Sequence, residues 1–419
     1  MGEARVLAAE PSPELLAALA AARRQSDSLF ALIDPAALYE RAVAERHRFI
    51  FYLGHLEAFD WNLCRTHLAL PPPVDLDRLF AFGIDPDQSC PEALPCDRAT
   101  DWPARETVHG YQQQRRELFD RHLPNLPAQL LHVAIEHRLM HAETLCYLLH
   151  WLPLAAKKAL CPPQADPRPA PPATTITIPA GSATLGRRDG FGWDNEFHEH
   201  TVDVPEFTID KYMVTNGEYL RFVRAGGPPP LFWRPDEAGS GFLLRCMFGE
   251  IPLPPSWPVY VTHEQARAYA QWAGRALPTE AQFHRAAFGT PPGSGGAATG
   301  ERAYPWGDDP SPPPAAGNFD FQHWDPQPVD ATPAGDSAFG VAQLVGNGWE
   351  WTQTPFVPFA GFKPFPFYPG YSADFFDGEH FVLKGASART ARCLLRRSFR
   401  NWFRPAYRYA YAGFRCVDR

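Results

Sequence analysis

The chain has 419 residues, of which 45% are hydrophobic and 21% are charged. This composition is typical of a globular protein, and the length exceeds that of one ordinary domain. The 47 acidic and 39 basic residues give a net charge of -8 without a long basic block, so a nucleic-acid partner is not expected. The N-terminal segment has neither a signal-peptide pattern nor an apolar span of about 20 residues. We therefore expect a cytoplasmic protein with two domains and no membrane partner.

The first part of the chain has helical periodicity. Apolar residues recur at three-to-four spacing in four segments, which predicts four amphipathic helices. Four long helices joined by loops are most simply an antiparallel bundle, and bundles build metal sites from facing side chains. The segments cover residues 12–33, 35–68, 104–123 and 126–152.

The cysteines are scattered along the chain without any CxxC pair, so the sequence predicts neither a zinc ribbon nor a disulfide framework. We expect most of them to be reduced and partly buried. The eight are Cys64, Cys90, Cys96, Cys146, Cys161, Cys246, Cys393 and Cys416.

A proline-rich segment, CPPQADPRPAPPATT, separates the part of the chain with helical periodicity from a part with short β-prone pieces. Proline at this density favours an extended connector. The sequence therefore predicts a helical domain over residues 1–160, a connector over 161–175 and a second domain over 176–419.

The second domain is predicted to be α+β. Short β-prone pieces such as TITIPAG, HTVDVPEFTID and HFVLKGAS alternate with turns. Two helices should begin at Thr262 and Thr279, because each threonine precedes a glutamine by three residues, as in a capping box. The glycine-rich stretch over residues 289–302 is predicted to be a flexible surface loop.

Two histidines lie four apart in EHRLMHAETL, so His137 and His141 share one helix face. His55, in the apolar heart of another helix, is a third candidate ligand, since burying an unpaired imidazole is costly. Three histidines leave coordination positions open, which suits zinc hydrolysis or iron-oxygen chemistry. Arg138 stands where a zinc protease needs glutamate. The alternative is that these are ordinary histidines of a helix.

The second domain resembles the formylglycine-generating-enzyme (sulfatase-modifying-factor) domain over residues 173–419. The motifs IPAGSATLG, RALPTEAQFHRAAFG, YPWGDD, GNGWEWT, VLKGAS and AGFRC carry the resemblance by their order and spacing. It implies an irregular fold related to C-type lectins.

The first domain resembles a DinB-like four-helix bundle, and FYLGHLEAF and HRLMHAETL match that bundle's iron-binding histidines in the ergothioneine-type sulfoxide synthases. Nearly the whole chain is similar to this superfamily. The resemblance implies Fe(II) bound by His55, His137 and His141, O2 as co-substrate, and formation of a C–S or C–Se bond at the imidazole C2 of hercynine. Whether the second domain also holds a structural Ca2+ stays open.

The resemblance also indicates substrate contacts. Asn401 and Trp402 match positions around the trimethylammonium group of hercynine, which an aromatic face suits. Tyr371 matches the tyrosine that supplies a proton during oxygen chemistry, with Tyr368 as the alternative.

Two residues near these positions bear on the chalcogen donor. The acidic residue that engages a donor amine in members using γ-glutamylcysteine is Phe403 here, followed by Arg404. This favours the selenoneine synthase branch, whose donor is a selenosugar, over cysteine or γ-glutamylcysteine.

Two other functions compete. Formylglycine generation needs a pair of cysteines after the KGAS motif, where this chain has Cys393 with Thr390 and Leu395. A non-catalytic lectin-like binding protein could use the aromatic loop PFVPFAGFKPFPFYPGY as a receptor surface. Such a protein needs no open metal position, so the three histidines favour an enzyme.

Overall fold

The computed structural model describes residues 10–81, 98–158, 160–291, 300–313 and 315–419. Cys90, Cys96 and the centre of the predicted surface loop, residues 292–299, lie outside the described residues. The chain divides into two compact units. The first comprises Met1–Cys161 and Asp189–Phe191, and the second comprises Pro162–Arg188 and Gly192–Arg419.

The first unit is helical. Helix α2 packs against α4 and α5, and α1 packs against α5. Helix α5 is buried around most of its circumference, so it is the central helix of the described part of this unit. The helices are α1 (Pro13–Phe30), α2 (Phe49–His67), α3 (Asp75–Leu79), α4 (Arg105–His122) and α5 (Ala128–Trp151).

The second predicted helix is shorter than expected. The apolar pattern predicted one helix over residues 35–68, but a single 3-10 turn, Pro35–Tyr39, is followed by irregular chain until Phe49. Arg48 Nη1 donates a hydrogen bond of 2.6 Å to the carbonyl oxygen of Tyr39. This side chain satisfies a backbone acceptor that a continuous helix would use internally, so periodicity alone gave the wrong start.

The second unit combines small sheets with short helices, as the α+β prediction required. Its largest sheet has the strand order β10-β9-β8-β11, with β8 antiparallel to β9 and parallel to β11. Strands β1 and β4, strands β2 and β3, and strands β5, β6 and β7 form separate antiparallel sheets. The strands are β1 (Thr175–Ile178), β2 (Gly181–Leu185), β3 (His200–Val204), β4 (Phe207–Asp210), β5 (Trp233–Pro235), β6 (Phe242–Cys246), β7 (Gly249–Pro252), β8 (Gly348–Pro355), β9 (Phe381–Ala386), β10 (Asn401–Phe403) and β11 (Ala412–Gly413).

Both predicted capping boxes are present. Thr262 begins helix α7 (His263–Trp272), and Thr279 begins helix α8 (Glu280–Phe288). Each threonine oxygen accepts from the backbone N–H three residues later, at 3.1 Å. Helix α6 (Asn216–Arg224) was not predicted, although Thr215 and Glu218 form the same box.

The proline-rich segment belongs to the second unit from Pro162 onward. Trp257 Nε1 donates a hydrogen bond of 3.1 Å to Asp166, so this extended chain is attached to the domain that follows it. Of the described cysteines, Cys161 and Cys393 are exposed and Cys64, Cys146, Cys246 and Cys416 are buried. Among the described residues, no helix has the length and apolar character needed to cross a bilayer.

Candidate metal centre and aromatic cluster

The structure brings His55, on α2, together with His137 and His141, on α5. The Nε2 atom of His141 lies 3.2 Å from Nε2 of His55 and 3.1 Å from Nε2 of His137. All three side chains are buried. Within the described ranges, the ligand atoms of these three side chains are close enough to share one metal ion.

The arrangement of these nitrogens fits a metal ion. Two ligand atoms bound at about 2.1 Å and at right angles lie about 3.0 Å apart, close to the separations seen here. Nδ1 of His55 donates a 2.7 Å hydrogen bond to the carbonyl oxygen of Phe80, because a carbonyl can only accept. Its Nε2 is then a bare acceptor aimed at the other two rings. A cation between the three nitrogens could be bound by their lone pairs.

Burial keeps the three imidazoles neutral. The loss of hydration lowers the pKa of His55 to about 4, against a weaker opposing effect of the Phe80 carbonyl. Burial also holds the pKa values of His137 and His141 well below the usual range, and the other histidines lower them further. Neutral imidazole is the form that binds metals.

Aromatic side chains fix two of the rings. Phe51 stacks on His55 with ring centroids 4.8 Å apart, and Phe59 stacks on His137 at 3.4 Å. Both phenylalanines lie on α2, one turn to either side of His55. They restrict rotation of the imidazoles and line the centre with apolar surface.

A buried ion network beside the centre was missed by the sequence reasoning. Arg138 donates to Glu57 at 2.9 Å and to Asp60 at 2.7 Å, and it joins α5 to α2. Burial by itself would lower the pKa of Arg138, but the two carboxylates raise it. Arg116, on α4, donates to the same Glu57 at 2.8 Å. The arginine that disfavours a zinc protease therefore connects the two helices that carry the histidines.

Trp402 lies in an aromatic cluster of the second unit. Its ring is parallel to that of Phe356, with centroids 4.2 Å apart. Tyr371 and Phe375 lie at 5.4 and 5.6 Å. Trp402 is only partly buried, so part of the indole is available to a ligand.

Tyr371 is held firmly beside this cluster. Its ring stacks on Trp193 at 3.9 Å, and the ring of Tyr368 is 5.5 Å away. Burial, with a smaller contribution from the nearby carboxylate of Asp194, raises the pKa of Tyr368 to about 12. Ser372, which follows Tyr371 in the chain, donates a hydrogen bond to Asp194. Both candidate proton donors therefore occupy the same aromatic neighbourhood.

The remaining predicted substrate residues are Asn401 and Phe403, on β10 with Trp402, and Arg404, which follows this strand. Asn401 Oδ1 accepts a 2.9 Å hydrogen bond from the backbone N–H of Trp402. Phe403 stacks on Tyr407 at 4.6 Å. Arg404 is exposed and lies 3.3 Å from Asp377, which offsets its charge.

The segment after the KGAS motif offers a single thiol. Cys393 is exposed, Leu395 is buried, and the hydroxyl of Thr390 accepts a 2.9 Å hydrogen bond from the backbone N–H of Ser387. The side chains at these positions do not form the cysteine pair that formylglycine generation needs.

Comparison with known proteins identifies the family of the chain. The sequence pattern described as Sulfatase-modifying factor enzyme 1-like domain matches residues 162–419. A hercynine oxygenase from Mycolicibacterium thermoresistibile is 37% identical over 323 residues, which cover 68% of this chain and 69% of the relative. A hercynine oxygenase from Mycobacterium tuberculosis is 40% identical over 53% of this chain and 55% of the relative. Ergothioneine biosynthesis protein 1 of Neurospora crassa is 28% identical, over 91% of this chain and 55% of the relative.

The matched domain and the oxygenase relatives define the protein as an enzyme, an oxidoreductase of the oxygenase type, and the histidine centre is compatible with an iron ion. The hypothesis of a non-catalytic binding protein is therefore set aside. The chain belongs to the ergothioneine-type sulfoxide synthase superfamily.

Proposed function

We propose that the protein catalyses the O2-dependent formation of a carbon–chalcogen bond at the imidazole C2 of hercynine, with Fe(II) held by His55, His137 and His141. The observation that carries the proposal is the convergence of three buried Nε2 atoms in a chain whose relatives include hercynine oxygenases. Bound Fe(II) supplies activation of O2 at open coordination positions. When a thiol or a selenol is the donor, the C2 hydrogen and the S–H or Se–H hydrogen leave as one water, and the second oxygen atom of O2 remains on the chalcogen.

In this proposal the residues of the chain have separate tasks. The three neutral imidazoles hold the ion, and the rings of Phe51 and Phe59 keep them oriented. The indole of Trp402 and the amide of Asn401 bind the hercynine end that carries the trimethylammonium group, which has no N–H to donate. Tyr371 delivers a proton during the oxygen chemistry.

The domain assignment goes with this function. We assign residues 1–160 to a DinB-like four-helix bundle and residues 176–419 to the lectin-related fold of formylglycine-generating enzymes, joined by the connector over residues 161–175. The helices α1, α2, α4 and α5 support the first assignment, and the matched family pattern supports the second.

For the chalcogen donor we propose a molecule without a free amine, a selenosugar, in preference to cysteine or γ-glutamylcysteine. The support is the side chain of Phe403, which stacks on Tyr407 and offers no carboxylate to an ammonium group. The adjacent Arg404 is a cation, paired with Asp377, and a cation cannot bind an ammonium group in place of that carboxylate.

Iron binding tests the proposal directly. Protein purified without oxygen and loaded with Fe(II) is expected to hold one iron ion per chain, measured by metal analysis after removal of unbound metal. Absence of stoichiometric iron in folded protein would refute the assignment of the centre.

Parallel assays test the donor. Fe(II)-loaded enzyme, hercynine and O2 are expected to give a selenium-containing product with a selenosugar, and less product with cysteine or γ-glutamylcysteine, by mass spectrometry. Phe403→Asp should increase use of γ-glutamylcysteine, because it restores a carboxylate for the donor amine. Efficient use of γ-glutamylcysteine by the unmodified enzyme would contradict the selenosugar proposal and leave hercynine oxidation standing.

Trp402→Ala is expected to weaken hercynine binding by about 1–2 kcal/mol, or roughly 5- to 30-fold, the scale of a desolvated cation–π contact. Calorimetric titration measures this change. Histidine, which lacks the quaternary ammonium, should lose much less affinity than hercynine in the same variant. Trp272→Ala is the control, because Trp272 is an exposed tryptophan of α7. Equal affinity of Trp402→Ala and unmodified protein for hercynine would remove Trp402 from the site.

A further inference from the structure

The hydrogen-bond acceptor of His55 is a backbone carbonyl in a short segment that includes helix α3, and this segment is itself held by a buried carboxylate. Helix α3 ends at Leu79, and the carbonyl oxygen of the next residue, Phe80, accepts the hydrogen from His55 Nδ1 at 2.7 Å. This contact determines which ring nitrogen of His55 carries the proton. The other nitrogen, Nε2, is then the atom that faces the two remaining histidines.

The anchor of this segment is the buried carboxylate of Asp77. Arg115 Nε lies 2.6 Å from Oδ1 and Arg115 Nη2 lies 3.1 Å from Oδ2, a bidentate pair. The hydroxyl of Tyr111 donates to Oδ1 at 2.8 Å. Both donors lie on α4. The carboxylate therefore ties α3 to α4 through charge-assisted bonds that are shielded from water.

A second contact ties α3 to the helix that carries His55. Asn62, on α2, donates to the backbone carbonyl oxygen of Asp77 at 3.2 Å. The ring of Phe80 lies directly against Gly54, where an added Cβ would be 2.6 Å from three ring carbons. The glycine next to His55 is therefore required by the close approach of Phe80, and any side chain there must displace the ring.

We propose that Asp77, through Arg115 and Tyr111, positions the Phe80 carbonyl that fixes the tautomer and orientation of His55. Asp77 is a positioning residue: it acts on the Phe80 carbonyl, which in turn contacts His55. The inference rests on the proposed role of His55 as a metal ligand. Partners in this outer layer usually change metal affinity by about 10- to 100-fold when they are altered.

The test measures Co(II) binding to metal-free protein by absorbance titration, without substrates. Asp77→Asn keeps the shape of the side chain and removes the charge that holds Arg115, and it is expected to raise the Co(II) dissociation constant by about 10- to 100-fold. Tyr111→Phe, which removes one hydrogen bond, should cause a smaller change in the same direction. Asp75→Asn is the matched control, because Asp75 lies on the same helix and its side chain is 97% exposed.

A second readout separates positioning from a general loss of stability. Nitrogen NMR of the metal-free protein should show His55 protonated at Nδ1, and Asp77→Asn and Gly54→Ala should each shift this ring toward a mixture of tautomers. A purely structural role would lower the melting temperature and leave the tautomer unchanged. If Asp77→Asn does not fold, Tyr111→Phe and Gly54→Ala supply the same comparison.

Different outcomes would refute the metal centre and the positioning role of Asp77. An unmodified protein that binds no Co(II) and no Fe(II) refutes the metal centre itself. An unmodified protein that binds metal, with variants at Asp77 and Gly54 that bind equally well and keep the His55 tautomer, overturns the positioning role alone.

Discussion

Replacing His141 with alanine is expected to abolish both metal binding and turnover. His141 Nε2 lies 3.1–3.2 Å from the Nε2 atoms of both other histidines. Its removal therefore leaves only two of the three nitrogen ligands. The loss in affinity should exceed the roughly 100-fold that marks the upper range for an outer-layer partner. Metal analysis and product formation from hercynine measure the two effects.

The second unit should remain folded in this variant, because His141 belongs to the first unit. Near-ultraviolet circular dichroism, to which the tryptophans of the second unit contribute, is expected to change little. His132→Ala is the control on the same helix, and it should retain metal. Full iron content and activity in His141→Ala would eliminate this residue as a ligand.

Arg138→Met is expected to destabilise the protein by about 3–5 kcal/mol, the cost of breaking a buried pair and leaving a charge without its partner. The arginine and both carboxylates, Glu57 and Asp60, are almost completely buried. Glu57 keeps Arg116, so the principal uncompensated charge is that of Asp60. Chemical denaturation of the metal-free protein measures the difference in unfolding free energy.

The pH dependence identifies the cause. Burial already raises the pKa of Asp60 in the folded protein, in spite of the attraction of Arg138. Losing Arg138 should raise this pKa further. A carboxyl group whose pKa is raised by folding destabilises the folded state when it is ionised, so the deficit of Arg138→Met should shrink as the pH falls through the raised folded-state pKa of Asp60.

A compensating variant provides the control. Adding Asp60→Asn to Arg138→Met removes the unpaired charge, and it should recover much of the lost stability at neutral pH. A deficit that is independent of pH and unchanged by Asp60→Asn would point to lost packing of the arginine stem instead.

The sequence predicted those parts of the fold that local patterns encode. The threonine–glutamine pairs gave the starts of α7 and α8, because a capping box is formed within four residues. The start of α2 at Phe49 was missed, because the apolar periodicity continues through the non-helical segment before it. In that segment Arg48 donates a hydrogen bond to the carbonyl oxygen of Tyr39. Helix α6 carried the same threonine-based signal and could have been found.

The candidate site shows a similar division. The spacing of His137 and His141 follows from helix geometry, whereas the choice of His55 depended on its apolar surroundings and on the family resemblance. The acceptor for His55 is a backbone carbonyl at Phe80, and a carbonyl leaves no mark in the sequence. The pairing of Arg138 with Glu57 and Asp60 joins residues about 80 positions apart, which no local pattern reveals.

The network around Glu57 has a consequence for how the first unit opens. Arg116 bridges Glu57 on α2 to Asp27 on α1, while Arg138 brings α5 to the same carboxylate. A fluctuation that detaches α2, α4 or α5 must therefore hydrate the buried carboxylate of Glu57, whereas Asp27 on α1 is already partly exposed. Separate opening of these three helices is therefore suppressed, so slow amide hydrogen exchange near Glu57 should report one shared opening event, with α2, α4 and α5 losing protection together.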